Sequence, residues 1–304
     1  MKIYIANKKS DFTKEQIDKL NTVGSVVFIE KKPFNIDLIS KDDENKILMV
    51  DPDYVDWNFT NQTVDKIHNL KAIFVPSTSF SWFDSNYLRK KGVSLFNVSK
   101  YSTESVAEYA ICLMLNVVKK LPLVIKNDWK IDYDKHLNWE VKGKTMGIVG
   151  LGNIGKRIAE LGKSIGMNVV YWSKNSRDDR FQYLDLDELM KQADFIFPAL
   201  AKNKETRQLI SKERIDLMKP DSFIVSITSD EIFDFEYSQE KVREGKLAGV
   251  ALELDDKSIN DFKGNIWITP PIAWYTKEAV MEDFRIWVEN VLSYAAGKNQ
   301  NLVN

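Results

Sequence analysis

The sequence has one cysteine, Cys112, so no disulfide can form within the chain. That residue lies in an apolar helical stretch and is expected to pack inside as a small hydrophobe. A reducing cytoplasm is then the simplest home. Histidine is almost as scarce: His68 falls on an expected surface helix, and His136 lies in an aperiodic segment from which it could enter a cleft. No grouping of His, Cys and acidic residues has metal-ligand spacing. No apolar run approaches the roughly 20 residues that cross a bilayer, and Met1 to Ala6 reads as a strand rather than a signal peptide. Neither sign of charge prevails, with 43 basic residues against 44 acidic ones. Such a balance offers no global field for nucleic acid or a membrane surface, which leaves a small molecule as the expected partner.

What is present is ample apolar material, 44% of 304 residues, enough for two domains. Short apolar runs alternate with helical patterns, the mark of parallel βαβ construction. Strands are expected at Lys2–Ala6, Val26–Ile29, Ile47–Val50, Ala72–Pro76 and Ser94–Val98. Between them come helices at Thr13–Leu20, opened by a Thr13/Gln16 capping box, Val64–Leu70 and Ser85–Lys91, the last ended by Gly92. A longer helix runs from Thr103 to about Lys120 and halts before Pro122. Its Val106, Ala110, Leu113, Met114, Val117 and Val118 recur at helical spacing, for packing first and a subunit contact second. Leu123–Lys142, with Trp129 and Trp139, lacks periodicity and reads as an arm or cover. A second series follows, with strands at Thr145–Leu151, Asn168–Trp172, Phe195–Ala199, Phe223–Ile227, Val250–Leu254 and Ile266–Thr269. The last helix, Lys277 to Ala296, carries Phe284, Trp287, Val291 and Leu292 on one side.

The sharpest motif is Gly150-Leu151-Gly152-Asn153-Ile154-Gly155, preceded by an apolar strand and followed by a helical pattern that Gly166 ends. In that setting Gly150 makes a tight turn, Gly152 lets backbone approach a pyrophosphate, and Gly155 lets helix meet strand. The helix N-terminus then offers free N–H groups to the phosphates. At the end of the following strand, where a carboxylate would hold the adenosine ribose, stands Ser173. Lys174 and Arg177 can pair with a 2′-phosphate there, so NADP(H) is favoured over NAD(H).

Further blocks occur in a telling order: Gly92-Val93 with Asn97, Ser102 to Glu108, Glu205-Thr206, Met218-Lys219-Pro220, Gly245 to Gly249 and Thr269-Pro270-Pro271. From about Ala72 to Met281 the chain resembles the D-isomer-specific 2-hydroxyacid dehydrogenases. The resemblance implies an α/β protein of two Rossmann-like or flavodoxin-like lobes with a cleft between them. Its cofactor domain, a doubly wound parallel sheet at 101–274, is inserted into a smaller substrate domain made of 1–100 and a returning helix at 275–304. A homodimer is also implied. Asn153, Ile154, Thr103, Thr228 and Glu253 come over as cofactor contacts, Glu253 standing where the family has an Asp that orients the nicotinamide carboxamide.

The acid–base half departs from that pattern. Ser229 stands at the position of the Arg that clamps a substrate carboxylate, and Pro271 at that of the proton-donating His. The Glu that keeps such a His charged is matched by Ser258 by count or Asp256 by chemistry. Ser77 to Trp82 replaces a Gly-rich substrate loop. Ordinary reduction of a pyruvate-like acid is therefore not expected. Asp230, Glu231, Asp255 and Asp256 add acid near strand ends. Lys100 and Tyr101 are candidate proton donors, or else side chains of a hinge loop. Trp274 is a candidate wall of the pocket, and Ser226 and Ser229 are candidate hydrogen-bonding groups. Two functions fit: NADPH-dependent reduction of a non-standard substrate, such as an imine or amino-carbonyl compound, or a catalytically inactive cofactor-binding regulatory protein.

Overall fold

Valine, isoleucine and phenylalanine fill the short apolar runs, and most of these runs become strands with little or no exposure. In chain order the first elements are β1 (Lys2–Ala6), α1 (Lys14–Asn21), β2 (Ser25–Phe28), α2 (Asp37–Ser40), β3 (Lys46–Val50), α3 (Asn61–Asp65), β4 (Leu70–Phe74), α4 (Ser85–Lys90) and β5 (Ser94–Phe96). The computed structural model describes residues 1–40 and 43–304. Among the described residues these strands pair in parallel in the order β2-β1-β3-β4-β5. The direction of strand addition thus reverses between β1 and β3.

The capping box forms as the spacing predicts: Gln16 N–H donates to Thr13 Oγ1 at 3.2 Å, and Thr13 N–H to Gln16 Oε1 at 2.8 Å. The helix expected at Val64–Leu70 is displaced toward the N-terminus. Thr60 caps it by accepting from Thr63 N–H, and Asn69 at φ 55° turns the chain into β4. His68 therefore sits exposed in a turn, its carbonyl accepting from the buried Lys46 Nζ at 2.7 Å.

The second series is α5 (Thr103–Val118), α6 (Leu121–Lys126), β6 (Thr145–Val149), α7 (Asn153–Ser164), β7 (Asn168–Trp172), β8 (Gln182–Tyr183), α8 (Leu186–Gln192), β9 (Phe195–Pro198), α9 (Lys212–Asp216), β10 (Phe223–Ser226), α10 (Phe235–Arg243), β11 (Gly249–Glu253) and β12 (Ile266–Thr269). Its strands form a parallel sheet in the order β12-β11-β10-β9-β6-β7-β8, doubly wound, with the switch between β6 and β9. Helix α5 seals one face with Ala107, Ala110, Leu113, Met114 and Val117.

Cys112 does not join that face. It lies about 200° around the helix from both Ala110 and Met114, and it is exposed. The helix halts before Pro122, as expected. Lys120, at φ 56°, breaks α5, and Pro122 falls in the first turn of α6, where its missing N–H costs nothing.

The chain ends with α11 (Lys277–Ala295), which buries Ile286, Trp287, Val288 and Val291 against Ile3, Ile5, Ile47 and Met49. Two compact units result, residues 1–101 with 277–304 (unit 1) and residues 102–276 (unit 2). Among the described residues no helix is long and apolar enough to cross a membrane.

Candidate functional site

The three glycines after β6 are used in three different ways. Gly150 has φ 106°, which a side chain would strain, and its N–H donates to Trp172 O at 2.8 Å. A Cβ on Gly155 would stand 2.0 Å from the Gly150 carbonyl oxygen, so helix and turn touch only because it is absent. A Cβ on Gly152 would meet nothing within 4 Å. Gly152 caps α7 without a side-chain hydrogen bond, and both Gly152 and Asn153 are exposed. Space above Gly152, uncapped N–H groups and a position at the β6/β9 switch are what a dinucleotide pyrophosphate requires. The residues fit that group.

The loop after β7 is ordered by its own side chains. Ser173 is buried and its Oγ accepts from Ser176 N–H at 3.2 Å. Arg177 Nη1 donates to the carbonyls of Ser173 and Ser176 at 2.7 and 2.9 Å, and its guanidinium lies 4.2 Å over the Tyr183 ring. Lys174 pairs with Glu205 at 2.7 Å, but both side chains are exposed, so the tie is weak. The nearest following carboxylate, Asp178, is engaged by Lys156 and Arg180 at 3.1 and 2.8 Å. Arg180 above all holds it far below the usual carboxylate range.

The segment after β12 that carries Pro271 is pinned from two sides. Glu253 Oε1 accepts from Ile272 N–H at 2.6 Å and Ala273 N–H at 2.7 Å. Ser105 Oγ donates to the Ala273 carbonyl. Burial raises the Glu253 carboxyl, and the two N–H groups offset part of that rise. One Glu253 oxygen thus serves as a strut, which the sequence could not reveal because its partners lie some 20 residues on. Glu253→Ala should lower stability by about 1–3 kcal/mol, the cost of stranding a buried donor. Glu253→Gln, which keeps the acceptor, should cost less, as read from urea midpoints.

Ser229 Oγ accepts from Glu231 N–H at 3.2 Å and so caps a short 3₁₀ turn. Glu231 pairs with Lys202 and, at 3.5 Å, with Arg207, Lys202 holding it below its ordinary value, but these side chains are exposed and the ties are weak. Asp230 beside it is half-exposed. The hydroxyls of Ser226 and Thr228 pair at 3.2 Å. Ser258 caps its own turn by accepting from Asn260 N–H, and Asp256, at φ 55°, is exposed. Trp274 is 40% exposed, its ring 5.1 Å from that of Tyr275.

In unit 1, Lys100 is exposed at φ 69°, and the Tyr101 ring packs on the core that α11 closes. His136 Nδ1 accepts from Asp132 N–H at 3.1 Å, so it closes a local turn. The substrate-loop counterpart is held by Ser77 Oγ donating to Ser79 O and Asn97 Nδ2 to Thr78 O. Unit 2 thus gathers Gly150, Gly152, Asn153, Ile154, Gly155, Ser173, Lys174, Arg177, Thr228, Ser229, Asp230 and Glu253 along the carboxyl edge of one sheet.

A group in unit 1 escaped the sequence reading. Asp283 interrupts the buried stripe of α11, is 4% exposed, and its Oδ1 has no hydrogen-bond partner among the described residues. Burial, then the Asp51 carboxylate, pushes it up to about 8. Asp51 follows β3 and accepts from Asn7 Nδ2 at 3.2 Å and Asp53 N–H at 2.9 Å. The Tyr54 hydroxyl and Trp287 Nε1 are also buried without partners. An acid three residues before Ile286 and four before Trp287, on a mainly apolar stripe, was the available signal.

Comparison with known proteins agrees with this architecture. The family model for the NAD binding domain of D-isomer specific 2-hydroxyacid dehydrogenases matches residues 110–269. A Staphylococcus saprophyticus protein described as a 2-hydroxyacid dehydrogenase is 30% identical over 236 residues, 72% of this chain and 73% of that one. A glyoxylate reductase of Thermococcus litoralis is 27% identical over 263 residues, 80% of each chain. Among solved structures, an acyclic imino acid reductase in complex with NADPH and D-Arg superposes with a TM-score of 0.84 at 27% identity, covering all of both chains. A dinucleotide cradle on a doubly wound sheet, a second α/β unit completed by the C-terminal helix, and relatives that are reductases and dehydrogenases converge on one assignment: this oxidoreductase belongs to the D-isomer specific 2-hydroxyacid dehydrogenase family.

Proposed function

We propose that the protein uses NADPH to reduce a nitrogen-bearing substrate, either the carbon–nitrogen double bond of an imine or the carbonyl of an amino-carbonyl compound, rather than the ketone of a simple 2-keto acid. The observation that carries this reading is Ser229 and Pro271 where the family's pattern has Arg and His. Bound at the α7 N-terminus, the dinucleotide supplies a hydride to an electrophilic carbon. An iminium carbon accepts that hydride with no proton, because its nitrogen keeps the C=N electron pair as the amine lone pair. A ketone needs a proton on oxygen, and a missing general acid typically costs about 10²–10⁴ in rate. The likeness to an acyclic imino acid reductase bound to NADPH and D-Arg supports the same direction. Substrate roles for Ser229, Asp230 and Trp274, and proton donation by Lys100 or Tyr101 to carbonyl substrates, belong to this proposal.

The test is NADPH oxidation by purified protein with 2-keto acids, with and without ammonium or methylamine. Consumption should require the amine, and turnover of pyruvate or glyoxylate alone would overturn the reading. Ser173 with Lys174 and Arg177 supports NADPH as the cofactor. Arg177→Ala should lower the NADPH-to-NADH ratio of kcat/KM by about 10-fold or more, a lost charge-assisted phosphate contact.

We also place the protein in the cytoplasm, where the exposed Cys112 stays a thiol, and assign the arm to a homodimer contact. Trp129, Ile131, Tyr133 and Leu137 are 69%, 61%, 85% and 72% exposed, more apolar surface than one short segment usually leaves to water. Wild-type protein should elute as a dimer in size-exclusion chromatography with light scattering. Replacing Trp129, Tyr133 and Leu137 by serine should give a monomer.

A further inference from the structure

We propose that Asp283, together with Asp51, is the receptor for a positively charged nitrogen carried by the substrate, an ammonium or a guanidinium. The inference rests on the nitrogen-bearing substrate proposed above and adds where that charge is read. Its ground is a buried carboxyl group with an unsatisfied oxygen, on a helix face shared with Ile286, Trp287 and Val291, where the other buried polar side chain, Asn290, has hydrogen-bond partners. Such a group opposes folding unless something completes it.

Its location is also informative. Asn7 follows β1 and Asp51 follows β3, the two strands between which the sheet of unit 1 changes direction. Crevices at the carboxyl ends of such strands are where open α/β sheets bind ligands. The Asp283 carboxyl is close enough to feel the Asp51 charge, and so is the partnerless hydroxyl of Tyr54. Trp287, one turn beyond Asp283, lies with Phe12 and Phe284 at ring separations of 5.7 Å.

The chemistry selects the ligand. An anion would face two carboxyl groups. Among the described residues no group of three potential ligands could hold a metal ion. The nearby Lys32, whose charge acts on Asp51, has its Nζ 4.7 Å from the Tyr54 ring centre and 3.8 Å from Asp53. A monocationic nitrogen is what two carboxyl oxygens and surrounding aromatic rings accept. Burial holds Asp283 toward its neutral form, and the arriving cation restores its charge.

Two measurements on the full chain test this. In the first, two 2-keto acids are reduced in the presence of ammonium and NADPH, one ending in a guanidinium and one being the neutral 2-ketohexanoate. Wild type should favour the cationic substrate. Asp283→Asn should lower the cationic-to-neutral ratio of kcat/KM by about 30-fold or more, chiefly through KM, as for the loss of one partner in a buried charge pair. In the second, agmatine, which cannot be reduced, is titrated calorimetrically into wild type, Asp283→Asn and Asp51→Asn. Binding should be seen for wild type and lost in Asp283→Asn. An unchanged substrate ratio together with equal agmatine binding in wild type and Asp283→Asn would overturn the inference while leaving imine reduction standing. Agmatine binding that depends on Asp283, without turnover of any imine, would support the receptor and reject the proposed reaction.

Discussion

Gly155→Ala should abolish useful nucleotide binding, with NADPH affinity falling by about 100-fold or more. The added Cβ would stand 2.0 Å from the Gly150 carbonyl oxygen, a backbone atom that no rotamer change can move aside. Helix α7 or the turn must shift by more than an ångström. Displacements of that size at a binding site cost about 10² in rate or affinity, and overpacking costs about 1–3 kcal/mol of stability as well. Gly152→Ala is the informative partner. Its Cβ meets nothing within 4 Å in the free protein, so the melting temperature should hold while NADPH affinity falls. Fluorescence titration with NADPH and thermal melts of both variants separate the two roles. Equal melting temperatures for Gly155→Ala and wild type would contradict the assignment of Gly155 to helix–turn contact.

Asp283→Asn should stabilise the protein at alkaline pH, an unusual sign for a core substitution. The folded-state value of about 8 lies above the ordinary 3.8, because burial and then Asp51 disfavour the charged form. The folded state therefore holds a proton that the unfolded state releases, and wild type loses stability progressively as pH rises from about 4 to about 8. Each tenfold change in proton affinity is worth about 1.4 kcal/mol, so removal of the ionisable group should gain about 3–5 kcal/mol at pH 9 and almost nothing at pH 4. Thermal melts across that range should converge at the acid end and separate at the alkaline end, by roughly 5–10 °C. Parallel curves would show that Asp283 ionises freely in the folded protein. A group retained at such an expense to stability is best explained by a task in binding, since activity and stability often trade against each other.

Much of this protein is legible in its sequence. The Thr13/Gln16 box, the Gly150–Gly155 fingerprint, the turn at Gly166 and strands such as Lys2–Ala6 and Asn168–Trp172 depend on residues a few positions apart. Local backbone preference and hydrophobic period suffice for features of that range. The placing of Ser229 and Pro271 at the family's Arg and His positions, on which the proposed function rests, comes from counted positions in the sequence. Two features depend on more than one local signal. Thr60 caps α3 and draws it ahead of the Val64–Leu70 periodicity, and the angle of Cys112 on α5, not its apolar neighbours, leaves it exposed.

What the chain's order alone determined, then, was the alternation of strands and helices and the glycine fingerprint of the dinucleotide-binding domain. Only the tertiary structure decided that Glu253 ties down the Pro271 segment, that Glu231 pairs with Lys202, and that a carboxyl from the far end of the chain is buried within reach of the Asp51 charge. The reason is physical. Hydrogen-bond partners, burial and charge neighbours are set by what folding brings together, and the energy of an ionisable group depends on those surroundings far more than on its own identity.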